Sequence, residues 1–173
     1  METFLDLLKI ILPATAVFLC AFFLVKKFLD NETKKRDAEY RKSSSQTVIP
    51  IRLQAYERII IFLERLHPTN LALRVNKQGL TCDQLHGELI KTIKGEYEHD
   101  ISQQIYVSAT AWELVKTAKE ETIKIVNLSS TKVQGSAKSS DLAQVIIQLA
   151  SSVDRLPSTI ALDYVKKEAS QMF

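Results

Sequence analysis

The stretch that most constrains this chain is Ile10–Val25, IILPATAVFLCAFFLV, sixteen residues without a charge. Extended to Leu7–Leu29, with Lys9, Lys26 and Lys27 near its two ends, it holds 23 residues. At helical rise that is about 34 Å, enough to cross a hydrocarbon core of about 30 Å. Terminal lysines can snorkel to an interface, and Pro13 lies in the first half, where a kink is tolerated. The pattern therefore predicts a single membrane-spanning anchor over residues 1–29. A cleavable signal fits less well. The leading METFLDLLK carries two acids and one lysine, and no Ala-x-Ala-like site follows the apolar run.

Residues 26–42 hold seven Lys or Arg against four acids, whereas the segment before the apolar run holds one Lys and two acids. Positive-inside logic predicts an outward N-terminus, a cytoplasmic remainder and an inner-membrane location. Lys26, Lys27, Lys34, Lys35 and Arg36 are the candidate contacts to anionic lipid headgroups. From Ser43 onward the chain carries fifteen Lys or Arg and fourteen acids. That near-neutral balance, with no basic stripe interleaved with aromatics, argues against a nucleic-acid partner. Cys20 and Cys82 form no disulfide framework.

Four Gly and four Pro in 173 residues favour long helices over a turn-rich β fold. Residues 30–50 read as a basic juxtamembrane helix, with Glu32 and Arg36 at pairing distance, ending in a Ser43–Pro50 linker. Residues 51–173 read as a cytoplasmic domain, an antiparallel helical bundle with one long helix. Its first helix, Ile51–Leu66, has a wide apolar stripe through Ala55, Tyr56, Ile59, Phe62, Leu63 and Leu66. That breadth suits a core helix or one lying on a bilayer surface. From Thr81 to about Ser130, apolar or small residues recur every three or four positions (85, 89, 93, 97, 101, 105, 108, 112, 115, 118, 122 and 126), predicting one helix unless it breaks near Gly95. Asp141–Arg155 and a final segment to about Gln171 complete the all-α reading, with Ile160, Ala161, Tyr164 and Val165 inward.

Chemistry-bearing clusters are sparse. Cys82 and His86 share a helix face, but a structural zinc site wants four ligands and no second Cys/His pair exists. Glu96, Glu98, His99 and Asp100 are consecutive enough to point apart, which suits a solvated face better than paired acid–base catalysis. No phosphate loop, GxSxG or HExxH occurs. The expectation is a non-enzyme without cofactor or metal, the weaker alternatives being a lipid-surface module or a thiol or metal enzyme at Cys82/His86. Candidate protein contacts are the Glu57, Arg58, Glu64 and Arg65 ridge with Phe62, together with Tyr106 and Trp112.

Two stretches, QTVIPIRLQAYERIIIFLER at Gln46–Arg65 and EHDISQQIYVSATAWELVKTAKEETIKIVN at Glu98–Asn127, resemble an uncharacterised family of small single-anchor membrane proteins from Bacteroidota. The resemblance implies a bacterial inner membrane and brings no catalytic residue. The functional expectation is a scaffold, accessory subunit or assembly factor of an inner-membrane complex. Its partners would be other membrane-associated proteins, with self-association as a variant.

Overall fold

Leu66 ends a helix because His67 and Pro68 follow it; the residue before a proline resists the α conformation. In the computed structural model that helix, α1, runs Glu2–Leu66 and is followed by α2 (Pro68–Val75), α3 (Cys82–Asp100), a 3-10 helix (Ile101–Ile105), α4 (Ala109–Lys132), α5 (Ser139–Ser152) and α6 (Pro157–Ser170). The structure describes residues 2–133 and 138–172, except the side chains at positions 2–14, 16, 17, 37, 38, 40–45 and 47. Among the described residues the secondary structure is helical, apart from one antiparallel bridge between Thr81 and Lys138. The all-α expectation holds.

The chain divides into two units, Met1–Ile49 and Pro50–Phe173. The first consists of α1 alone, helical through the Ser43–Ile49 stretch where a linker was expected.

The expected membrane-spanning anchor is corrected. Among the described residues, no helix is long and apolar enough to cross a membrane. Positions 10–14, 16 and 17 of the apolar run lie outside the described side chains. The single-pass inner-membrane location, the outward N-terminus and the cytoplasmic placement of the remainder all rested on that span and fall with it.

In the second unit, α4 packs against α3, α5 and α6, and α5 also contacts α2 and α3. Ile59, Leu63, Leu66, Leu71, Leu85, Leu89, Ile93, Val115, Val126, Leu142 and Ile146 form the fully buried centre. The wide stripe of Ile51–Leu66 is thus core, since Ala55, Tyr56, Ile59, Phe62, Leu63 and Leu66 are all buried.

The continuous helix expected from Thr81 is also corrected. It starts as expected, with a Thr81/Gln84 capping box in which each side chain accepts the other's backbone N–H, at 3.3 and 3.0 Å. It then stops at Asp100, not at Gly95. Ser108 takes an extended backbone (φ −68°, ψ 154°), and its hydroxyl oxygen accepts the Ala111 N–H at 3.1 Å, which starts α4 afresh. Glu168, on α6, accepts the Ser108 N–H at 2.9 Å, so that donor binds a carboxylate where a continuous helix would give it a backbone carbonyl. The break lets α3 and α4 pack on each other. It also leaves Ile101 and Ile105, two positions of the expected stripe, exposed.

Candidate functional site

Arg65 and Arg74 converge on one carboxylate. Arg65 Nη2 lies 3.0 Å and Arg74 Nη1 2.8 Å from Oε1 of Glu96, joining α1, α2 and α3. Beside this triad lies a shallow cleft of about 290 Å³ lined by Ile61, Phe62, Arg65, Gly95, Glu96, His99 and Asp100. Its chemistry follows from helix register. Phe62 faces the core and supplies an apolar floor, while Ile61, one position on, is 47 % exposed and forms an apolar lip. Gly95 has no side chain, and a Cβ there would meet nothing within 4 Å, which keeps that wall open. Burial pushes the Asp100 carboxyl up, with the charges of His99 and Arg58 acting in the opposite direction. The result is an apolar floor inside a rim of both charge signs.

Under the floor lies an aromatic column. The Phe62 and Tyr97 rings are 6.2 Å apart, Tyr97 stacks on Trp112 at 5.6 Å, and Lys119 Nζ sits 4.1 Å from the Tyr97 ring centroid. This cation–π contact and the column stiffen the junction of α1, α3 and α4.

The expected contact residues separate into two groups. Glu57, Arg58, Glu64 and Arg65 are exposed, with Glu64 paired to Lys166 at 3.1 Å and Arg65 to Glu96. Phe62 and Trp112 are buried, and Phe62 is reached only as the floor of the cleft. Tyr106 is half-buried, and its carbonyl accepts the Arg52 Nε–H at 3.1 Å. In the first unit, Lys26, Lys27, Lys34 and Lys35 are exposed, and Arg36 pairs with Glu32 at 3.8 Å, the expected i,i+4 contact.

Cys82 and His86, four positions apart on α3, have different surroundings. The Cys82 thiol is buried, which pushes its pKa up, with further upward contributions from Asp83 and Asp141. His86 Nε2 pairs with Asn127 Oδ1 at 2.8 Å, across to α4. Among the described residues, no group of three or more His, Cys, Asp or Glu is arranged to hold a metal ion.

Residue-by-residue reading missed Gly95 as an opening, Arg74 as the second cation on Glu96, and Glu168 as a cap. The first had a signal, since a glycine on a helix between polar positions removes a wall. The other two depend on partners 22 and 60 positions away and had none.

No curated protein and no solved structure matches the chain. The chain belongs to a family of unknown function (DUF7935), whose model matches residues 2–172. The resemblance to an uncharacterised family therefore holds, while the match carries neither a Bacteroidota source nor membrane nature.

Proposed function

We propose that the second unit, Pro50–Phe173, is a helical protein-binding module that serves as a scaffold or accessory subunit of a larger assembly, with the Ile61 cleft as its contact surface. The observation that carries this reading is the exposed Ile61 beside a buried Phe62 floor, ringed by Arg65, Glu96, His99 and Asp100. A small-molecule site is usually a deeper concavity that covers most of its ligand. A shallow apolar patch with a charged rim suits one anchoring side chain of a partner helix or strand, the rim fixing its register. Glu96 is held by two arginines, so the most central carboxylate is committed to ion pairs and binding is favoured over acid–base chemistry.

A photo-crosslinking amino acid placed at Ile61 tests this in the full-length protein in cells. It should give a discrete adduct with another protein that is absent when the same group replaces Leu128, an exposed residue of α4. Equal labelling from both positions, or none from Ile61, would refute the assignment.

A further inference from the structure

The first unit carries a different kind of surface. Phe18, Leu19, Phe22, Phe23, Leu24, Val25, Phe28 and Leu29 are each between 51 and 69 % exposed. At about 100° per residue these eight side chains surround the helix instead of lining one stripe. Phe22 pairs with Phe18 (ring centroids 6.5 Å) and with Phe23 (6.0 Å). A second copy of the helix covers only a seam of alternating three- and four-residue spacing and would leave the opposite face wet. An environment that covers every face at once is an apolar phase.

Charge then selects which one. Lys26, Lys27, Lys34 and Lys35 are exposed within and just beyond the belt, and Lys26–Arg36 holds five basic residues against two acids. We infer that Phe18–Leu29 inserts into the acyl-chain layer of one leaflet of a lipid bilayer bearing anionic headgroups, with the adjoining lysines on those headgroups. Phe18–Leu29 rises about 18 Å, a little over half of a hydrocarbon core of about 30 Å. Aromatic side chains suit the boundary between headgroup and acyl chain, and basic residues near an anionic surface add to the attraction.

Cys20, exposed within the belt, provides the probe, while Cys82 is buried. Full-length protein labelled at Cys20 with an environment-sensitive fluorophore is mixed with vesicles of phosphatidylcholine alone or of phosphatidylcholine with phosphatidylglycerol. The expected result is flotation with the anionic vesicles, a blue shift of the fluorophore, and weakening as salt rises. K26Q/K27Q should lower partitioning about thirtyfold at low salt, the product of two lost basic contacts. F22D/F23D should abolish the blue shift while leaving the urea midpoint of the second unit unchanged. Equal behaviour with both vesicle types, a fluorophore that stays water-exposed, or a blue shift that depends on protein concentration and not on vesicles would overturn the proposal, the last by assigning the belt to a second copy of the chain.

Discussion

Tyr56 and Glu168 lie 112 positions apart in sequence, yet the Tyr56 hydroxyl donates to Glu168 Oε1 at 2.5 Å. The same carboxylate accepts the Ser108 N–H and the Ser108 hydroxyl, so one side chain on α6 ties α1 to the start of α4. Burial alone would raise the Glu168 pKa, but the Ser108 and Tyr56 hydrogen bonds and the Arg52 charge outweigh it and hold the carboxyl below its ordinary value.

Glu168→Gln should cost about 1.5–3 kcal/mol in urea unfolding, because an amide group replaces an acceptor where donors already point. The pH dependence has a definite sign. A depressed carboxyl pKa contributes stability that is present above the ordinary value, near 4.5, and is lost as pH falls through the lowered folded value. Unfolding measured from pH 7 down to 3 should show this acid loss in the wild type and a smaller one in Glu168→Gln.

At the alkaline end the partner takes over. Burial, then the hydrogen bond and charge of Glu168, push the Tyr56 hydroxyl up to about 12 from 10.0. A raised phenol pKa favours the neutral form, so its contribution is complete below pH 10 and declines as pH rises toward 12. Tyr56→Phe should lose about 1 kcal/mol at pH 7 and show a shallower decline above pH 10.

Packing makes a separate forecast. Leu89 is fully buried on α3, so Leu89→Ala should cost about 2–5 kcal/mol through lost burial and a residual cavity. Leu73, on α2, is 64 % exposed, and Leu73→Ala should fall within about 0.5 kcal/mol of the wild type. Equal losses for the two would contradict the packing described.

Thiol chemistry separates the cysteines. Cys20 is exposed and Cys82 is buried with a raised pKa, so in aqueous buffer a thiol reagent at pH 8 should modify one cysteine quickly. The second should react only on addition of denaturant. Mass spectrometry of the partly modified protein should place the first adduct on Cys20.

Much of the second unit was legible in the sequence because its signals are local. The Ile51–Leu66 stripe and the stripe through Leu85, Leu89, Ile93, Trp112, Val115 and Val126 reappear as buried positions, and Thr81 caps α3. The break at Ile101–Ser108 was not legible. The three- and four-residue spacing continues through it, and the Ser108 N–H at the start of α4 is held by Glu168, on another helix. Ile160 and Tyr164 were expected inward and stand partly exposed, since α6 buries only the narrower face of Ala161 and Val165. The apolar run near the N-terminus is the other departure: it predicts a span, and no helix among the described residues is long and apolar enough to cross a membrane. The cleft was half visible: Arg65, Glu96, His99 and Asp100 were singled out individually, but only packing brings α3 beside Ile61.

The central claim is that the Ile61 cleft holds a protein partner, and the most direct measurement is quantitative affinity purification of full-length wild type beside Ile61→Glu and Leu128→Glu. Both positions are exposed, so both variants should keep the wild-type urea midpoint. The account predicts that Ile61→Glu lowers the recovery of one stoichiometric partner by tenfold or more, roughly the loss from a buried hot-spot contact, while Leu128→Glu retains it. Full recovery of the same partner by Ile61→Glu would contradict it.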